Sequence, residues 1–323
     1  MLGALLALAS AATFGFNSAT IRRGVLTASV LQAMAITVPL GVPLFALACL
    51  PFEGFQAVAE FSLPAWLWMS LAGVVHFVIG RYGNYRSTHA LGANLSSPIQ
   101  QLSVPISIVL AIIYLDETLT PVTVIGLLLV MLGPTVMMRE TQGGRSQRTR
   151  SGFEPRYREG FFWGINSALA YGASPLFIMK GLGPDGGLVE SIAGGFISYT
   201  TAAIVVIALV IVLGGINGMG SMDPTGGKWF FVSGVFVFVS QIFRYMSLAV
   251  APVSLVVPIQ RLSPVFRVIF SWVLNRDHEW FGVWVMSGIA LSMLGAMLLT
   301  ISTDLVVSMM PASLEGLLRF DWP

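Results

Sequence analysis

The chain contains one twenty-residue pattern twice: NYRSTHALGANLSSPIQQLS at residues 84–103 and RYMSLAVAPVSLVVPIQRLS at residues 244–263. Eight of the twenty aligned positions are identical, including the whole of Pro98–Gln100 against Pro258–Gln260. Weak internal similarity of this kind is typical of a fold built from two copies of one structural unit. The two segments therefore predict a protein made of two related halves.

The same relationship extends on both sides of this pattern. Residues 10–25 align without gaps with residues 167–182, and the run Met131–Gly133 aligns with Met293–Gly295. A cleaved signal peptide is the alternative interpretation of the apolar N-terminal stretch. This alternative is disfavoured because the stretch lacks a basic segment and is repeated later in the chain.

The composition excludes an ordinary water-soluble domain. The 323 residues are 55% hydrophobic and 10% charged, with a mean hydropathy of +0.82, whereas soluble domains are about 25% charged. Cys49 is the single cysteine, so the sequence predicts neither an internal disulfide nor a cysteine-based metal site, and we expect no cofactor. All but two of the 17 basic residues are arginines, and without a lysine-rich face we expect no nucleic-acid partner.

Ten apolar stretches are long enough for helices of about 20 residues, the length that crosses about 30 Å of hydrocarbon. They cover residues 2–21, 27–49, 65–86, 93–114, 121–138, 160–179, 188–213, 229–248, 253–274 and 280–301. Continuous apolar runs predict helices and not the alternating strands of a membrane barrel. The predicted fold class is an all-α polytopic membrane protein with ten transmembrane helices. Because five spans per half is an odd number, the second half crosses in the opposite sense, which predicts two inverted five-helix repeats.

Polar stretches set the predicted boundaries. We divide the chain into a first repeat at 1–138, a linker at 139–158, a second repeat at 159–302 and a tail at 303–323. The linker holds six arginines and two glutamates, and a signal for membrane topology is a better interpretation of this charge than a binding role. The amphipathic tail predicts a short helix in the membrane interface.

Each half combines prolines in its fourth helix with a short acidic hinge after it. The residues are Pro98, Pro105 and Asp116–Glu117 in the first half, and Pro258, Pro264, Asp277 and Glu279 in the second. Over residues 2–301 the chain resembles the EamA-type drug/metabolite transporter superfamily, although its second hinge, Asn275–Glu279, departs from the family pattern. The resemblance implies a secondary transporter that works by alternating access. Members move amino acids, drugs, sugars or nucleotide sugars.

Several charged side chains lie inside the predicted spans. Such a side chain costs at least about 2.5–3.5 kcal/mol in hydrocarbon and normally faces a cavity or the interior of the bundle. The residues are Arg81, Arg244, Arg261, Arg267 and His76. Glu190 is the one internal carboxylate that could balance them. A bound anion would supply the missing charge, and because guanidinium groups suit carboxylate and phosphate, we expect a substrate with at least one such group.

A structural role is the alternative for part of this set. Arg81 and Arg244 lie within about two turns of a helix end, so they could reach lipid headgroups instead of a substrate. Arg261 is favoured as a substrate ligand because it lies further inside its helix. Arg267 lies about 240° further around that helix, so the two arginines cannot share one face.

Amide side chains are further candidates for substrate binding. Gln100 and Gln260 are equivalent in the two repeats, and each follows a Pro–Ile pair that bends its helix. Each could either complete the exposed backbone hydrogen bonds or contact the substrate. Gln101 is the equivalent of Arg261, so we expect the cavity to be more positive on its second-half side. Asn17 is also a candidate, although an interhelical hydrogen bond is the more frequent role of such a residue.

Two groups could couple transport to a proton gradient. They are Glu190 and His76, since carboxyl and imidazole groups can exchange protons during a transport cycle. A contact at the helix end is the favoured alternative for Glu190.

Glycines recur at a spacing of seven residues in the fifth and tenth spans. They are Gly126 and Gly133 in the first half and Gly288 and Gly295 in the second. Two glycines on one face allow close helix packing. We therefore expect these two helices to pair and to join the halves on the side away from the cavity.

No hydrolase, zinc or phosphate-loop motif occurs in the sequence, so we expect neither an enzyme nor an ATP-driven pump. We expect a multi-pass protein of the inner cell membrane, monomeric or dimeric. Its expected activity is export of a small polar metabolite, with an anionic one such as an amino acid or organic acid favoured. Efflux of lipophilic drugs and flipping of a lipid-linked substrate are the alternatives.

The orientation of the termini is predicted differently by two arguments. Basic residues outside the spans favour both termini outside the cell, with eleven basic residues then in the cytoplasm against two outside. The family resemblance implies both termini inside.

Overall fold

The computed structural model describes residues 1–115, 121–137, 155–184, 186–213, 220, 222–277 and 283–300. Within these ranges the regular structure is helical and includes no strand. The predicted hinge Asp116–Glu117, Glu279, most of the linker 139–158 and the whole tail 303–323 lie outside the described residues.

The first half combines one long N-terminal helix with several shorter ones. Its elements are α1 (Leu2–Gly24), α2 (Val30–Thr37), α3 (Gly41–Cys49), a 3₁₀ turn (Leu50–Phe52), α4 (Gly54–Glu60), α5 (Leu63–Gly73), a π-helical segment (Val74–Gly80), α6 (Arg81–Leu91), α7 (Ala93–Gln100), α8 (Ser103–Leu115) and α9 (Pro121–Met137). Ser62 begins α5 as an N-cap, because its hydroxyl accepts from the backbone N–H of Ala65. From there α5, the π-helical segment and α6 follow one another without a gap, so that Leu63–Leu91 forms one long helical stretch.

The described part of the second half contains three helices of 25 residues or more and three shorter ones. Its elements are α10 (Tyr157–Leu182), α11 (Leu188–Val212), α12 (Pro224–Val250), α13 (Val253–Gln260), α14 (Ser263–Leu274) and α15 (Val283–Thr300). Asp223 caps α12 by accepting from the backbone N–H of Gly226.

Five helical stretches of the described chain are long and apolar enough to cross a membrane. They are Leu2–Gly24, Val30–Phe52, Leu63–Leu91, Leu188–Val212 and Pro224–Val250. Shorter apolar helices add to them at Ser103–Leu115, Val124–Gly133 and Ser263–Leu274. The protein is therefore an all-helical polytopic membrane protein.

The predicted fourth and ninth spans differ from the expectation of one bent helix each. The structure divides them into α7 with α8 and into α13 with α14, so both breaks follow the repeated glutamine and not the proline two residues before it. Pro105 and Pro264 explain the positions of the two breaks. Neither can donate a backbone hydrogen bond to the residue four positions earlier, and proline is favoured in the first turn of a new helix. Tight turns close both gaps, with Leu102 N donating to Ile99 O and Leu262 N to Ile259 O.

The long helices pack mainly across the two halves of the chain. α1 packs along α12 and α14, whereas α10 packs along α6 and α8. Small polar residues allow the close approach. Ser10 Oγ donates to Ser240 O, and Ser167 Oγ donates to Gly80 O, both at 2.9 Å. Such hydrogen bonds hold helices together where no water competes.

The predicted pairing of the fifth and tenth spans is confirmed, since α9 packs along α15. All four glycines of the seven-residue pattern are buried: Gly126, Gly133, Gly288 and Gly295.

We expect Gly133→Leu to abolish the yield of folded protein. A leucine side chain would have to enter a buried helix contact, and the two helices cannot separate without losing their packing. The measurement is the monodisperse fraction in size-exclusion chromatography after membrane extraction. Leu132→Phe is the control, because Leu132 is 49% exposed on the neighbouring face. Equal yields of the two variants would contradict the role of the glycine face.

Candidate functional site

A polar cavity lies among α1, the π-helical segment, α10, α12 and the break between α13 and α14. Its described lining residues are Ser10, Phe14, His76, Tyr171, Ser240, Gln241, Arg244, Gln260, Arg261 and Ser263. Two of these residues are cationic, whereas none is acidic. The π-helical segment that carries His76 is itself notable, since π-helical turns are frequent at functional sites.

Arg244 is one of the two cavity cations. It is 5% exposed, so it does not extend to lipid headgroups. Its Nη2 donates to Ser174 Oγ at 2.7 Å, and its Nη1 lies 3.5 Å from Gln241 Oε1. Both partners are neutral, so they orient the guanidinium without balancing its charge.

Arg261 is the second cavity cation and lies in the break between α13 and α14. Its Nε is buried and has no hydrogen-bond partner within the described residues. Its Cζ lies 5.9 Å from the ring centroid of Tyr171, a cation–π distance. A buried N–H without a partner is costly, and at this position it is able to donate to a group bound in the cavity.

Ser174 connects Arg244 to His76. His76 Nδ1 lies 2.8 Å from the same Ser174 Oγ that accepts from Arg244. Because the serine oxygen accepts from the arginine, its hydroxyl proton can go either to Nδ1 or to Tyr171 O, which lies 3.4 Å away. In the arrangement where Nδ1 accepts, a neutral imidazole carries its proton on Nε2 and can donate a hydrogen bond.

Gln260 contributes an amide to the cavity, in agreement with its expected position. Its Nε2 lies 3.4 Å from Ser10 Oγ, which also donates to Ser240 O at 2.9 Å. These hydroxyl and amide groups provide neutral hydrogen bonds beside the two cations.

Arg81 does not line the cavity, although the sequence places it near His76. Its Nη2 donates to the hydroxyl of Tyr199 at 2.7 Å and its Nη1 to Thr37 O at 3.2 Å. The Cζ lies 4.9 Å from the ring centroid of Phe77. Arg81 is 2% exposed, so it does not reach headgroups and instead joins three helical segments.

Gln100 and Gln101 also lie outside the cavity lining. Gln100 Nε2 donates to Asn84 Oδ1 at 2.5 Å, and Asn84 Nδ2 lies 3.4 Å from the Tyr171 hydroxyl. Gln101 Nε2 donates to the backbone oxygen of Arg261 at 2.9 Å. Gln101 therefore supports the break on which a cavity cation lies.

The remaining candidates make contacts between or at the ends of helices. Asn17 Oδ1 accepts from Ser233 Oγ at 2.5 Å, which joins α1 to α12. Glu190 accepts from Gly187 N at 2.8 Å at the start of α11. Neither side chain lines the cavity.

Arg267 also lies outside the cavity lining. It donates from Nη1 to Ala93 O at 2.7 Å and from Nη2 to Ser18 Oγ at 3.2 Å. These contacts connect α14 to the start of α7 and to α1. Its position agrees with the expectation that Arg261 and Arg267 point to different faces.

Sequence reasoning missed Gln241 as a cavity residue. A signal was available, because Gln241 lies three residues before Arg244 and therefore one turn away on the same helix face. At the offset of the repeat it is also the equivalent of Arg81.

The described helices define a multi-spanning membrane protein, and a polar cavity lies between them. The sequence profile of the EamA-like transporter family matches residues 1–139 and 158–301. The chain belongs to this family. It is a membrane transporter of the drug/metabolite transporter superfamily, with a small-molecule substrate and a lipid environment.

No curated protein sequence matches this chain. Among solved structures, the crystal structure of a protein 16% identical in sequence aligns with a TM-score of 0.66. The alignment covers 92% of this chain and 95% of the other. At this identity the similarity concerns the fold alone.

Proposed function

We propose that the protein is a secondary transporter that moves a small polar metabolite with a carboxylate or phosphate group by alternating access. The observation that carries the proposal is the presence of Arg244 and Arg261 in one cavity whose described lining includes no carboxylate. Guanidinium groups recognise carboxylate and phosphate through paired hydrogen bonds. A bound anion would therefore balance the charge of the cavity and complete the hydrogen bonding of Arg261.

Ten spans in two inverted repeats are part of this proposal. The contact between Gln101 and Arg261 supports it, because these residues are equivalent in the two repeats. Equivalent residues can touch only near the axis that relates the copies. The matched segments of the family profile, 1–139 and 158–301, also agree with the proposed division into repeats at 1–138 and 159–302 joined by a linker.

Equivalent glycines make equivalent close contacts, which further supports the repeat. A Cβ on Gly15 would lie 2.9 Å from Ser263 O, and one on Gly172 would lie 3.0 Å from Ser103 O. Gly15 and Gly172 occupy matching positions, as do Ser263 and Ser103. The approach of α1 to α14 thus has a counterpart in the approach of α10 to α8.

The first-half equivalents of the cavity residues bond to one another. Asn84 is the equivalent of Arg244 and accepts from Gln100, which is the equivalent of Gln260. In our proposal this buried pair closes the route to one side of the membrane, while the cavity is reached from the other side. Exchange of the two arrangements between the repeats would give alternating access.

The charge distribution supports one orientation. Arg86 and Arg156 pair with Glu159 near the start of α10, and Arg23 and Lys228 lie where the end of α1 meets the start of α12. By the positive-inside rule we propose that these helix ends are cytoplasmic and that the termini are outside. We also propose that the protein exports its substrate, that His76 or Glu190 couples transport to protons, and that the protein lies in the inner cell membrane.

Lipophilic cations are the competing substrates. Two guanidinium groups without a neighbouring acid would repel them, which disfavours this alternative. A flippase for a lipid-linked phosphate would use the same cations, but it would need a lateral opening for the lipid chain.

The proposal is tested with purified protein in nanodiscs and in proteoliposomes. Thermal unfolding is measured with amino acids, organic acids, sugar phosphates and lipophilic cations, and the stabilising solutes are then tested for flux in both directions. A ligand at about 100 times its dissociation constant raises the free energy of unfolding by about 2.7 kcal/mol. We expect anionic solutes to stabilise the protein and to be transported.

Arg261→Gln is expected to weaken this binding by about tenfold, because a charge-assisted hydrogen bond contributes about 1.5–3 kcal/mol. Arg276→Gln is the matched control. Arg276 is an exposed guanidinium over the Trp272 ring and lies outside the cavity. Stabilisation by cations alone, with an equal response in both variants, would contradict an anionic substrate.

A further inference from the structure

We propose that the substrate is a small dianion, such as a dicarboxylate or a phosphate monoester, whose two negative charges are balanced by Arg244 and Arg261 together. This inference rests on the proposed function and specifies its substrate class. Its basis is the charge of the cavity. Two cations line it, and the other described lining residues are neutral hydroxyl, amide, aromatic and imidazole groups.

A single negative charge would balance only half of this site. Neutral hydrogen-bond partners orient a buried guanidinium but leave its net charge in place, and an unbalanced buried charge is costly. After a monoanion had bound, one guanidinium would still lack a counter-charge. A second anionic group on the same molecule removes that cost, so binding favours two charges over one.

The two cations come from different elements, which allows them to contact separate groups of one ligand. Arg244 projects from α12 and is held by Ser174 of α10 and Gln241 of α12. Arg261 lies in the break before α14, and its buried Nε has no partner within the described residues. Ser263, the first residue of α14, also lines the cavity. The N-terminal end of this 12-residue helix therefore adds a partial positive charge.

Both cations belong to the second half. Their first-half equivalents are Asn84 and Gln101, which are neutral amides. A dianion would therefore be held electrostatically by one repeat and only through neutral contacts by the other. This asymmetry distinguishes the site from one in which each repeat binds one charge of the ligand.

The test compares molecules of different charge whose sizes are equal or differ by one methyl group. Binding of succinate, succinamate and succinamide to the nanodisc-embedded protein is measured by calorimetry near neutral pH. These molecules share one heavy-atom skeleton and carry two, one and no negative charges. Glycerol 3-phosphate is compared in the same way with its singly charged methyl diester, so that the two pairs distinguish a dicarboxylate from a phosphate ester.

We expect at least one dianion to bind about tenfold more tightly than its monoanionic partner, the ratio that a charge-assisted hydrogen bond supplies. Arg261→Gln should reduce this ratio to about threefold or less by removing one of the two charges, whereas the Arg276→Gln control should keep it. These substitutions separate charge recognition from a general effect of folding.

Equal binding of dianions and monoanions by the wild-type protein would contradict a dianionic substrate. The proposed transport of an anion would remain in agreement with that result. No binding by any of these anions, combined with stabilisation by lipophilic cations, would overturn both the dianion and the proposed function. An unchanged ratio in Arg261→Gln would show that the selectivity does not come from the two guanidinium groups.

Discussion

Arg244→Met is expected to abolish transport and at the same time to raise the free energy of unfolding of the empty protein. Arg244 is 5% exposed and donates to neutral partners, so folding must bury its charge without an acid beside it. Methionine has a similar length and carries no charge. Ser174 keeps a partner after the substitution, because His76 Nδ1 lies 2.8 Å from its hydroxyl.

The expected gain in stability is about 1–3 kcal/mol, within the range found when buried charges are replaced by apolar side chains. The expected loss of transport is about 100-fold or more, since charge-assisted hydrogen bonds to the substrate are lost. Reversible unfolding in detergent without substrate and uptake into proteoliposomes measure the two effects. Opposite changes in stability and activity are typical of residues kept for function.

Arg267→Met is the matched control, and its expected change in the free energy of unfolding has the opposite sign. Arg267 is also buried, but it lies outside the cavity and donates to Ala93 O at 2.7 Å and to Ser18 Oγ at 3.2 Å. Its loss should lower the free energy of unfolding, because both hydrogen bonds of Arg267 join α14 to other helices, whereas only one of the two contacts of Arg244 leaves its own helix. If Arg244→Met were destabilised to the same degree, Arg244 would be a structural residue.

Gly15→Leu is expected to abolish folding of the transporter. A Cβ at this position would lie 2.6 Å from Phe266 Cβ, 2.8 Å from Arg267 N and 2.9 Å from Ser263 O. Two of these atoms belong to the backbone of α14, so no change of side-chain conformation can remove the overlap. The helices would have to separate next to the cavity, which costs more than the usual 1–3 kcal/mol of overpacking.

Gly227→Leu is the control for this prediction. A Cβ on Gly227 would meet Met222 Cε at 2.9 Å, and the methionine side chain can move aside. The measurements are the yield of monodisperse protein and its unfolding temperature. Folded Gly15→Leu with wild-type stability would show that α1 and α14 do not pack as closely as described.

Patterns of many residues predicted the large features well. The apolar composition and the length of the apolar runs were sufficient for an all-helical membrane protein, because hydrocarbon allows few other structures. The paired glycines located the contact of α9 with α15, since small residues at one face determine how closely two helices approach.

The residues that line the cavity were harder to predict. Sequence identifies which polar residues lie within the membrane but not which of them face the same space. His76 and Arg81 are five residues apart, yet the first lines the cavity and the second contacts Thr37 and Tyr199. Five residues of an α-helix place two side chains about 140° apart, so they are expected on different faces. Which of the two faces meets the cavity depends on how the neighbouring helices pack, and the pattern within one helix does not contain that information.

In the proposed alternating-access cycle, the two cavity cations would also make transport sensitive to voltage. When the empty protein changed the side on which the cavity opens, Arg244 and Arg261 would shift within the electric field of the membrane. Each elementary charge that crosses a potential of about 100 mV exchanges about 2.3 kcal/mol with that field. A dianion would cancel both charges in the loaded protein. The membrane potential would then act on the return of the empty carrier and leave the substrate-carrying step electrically silent.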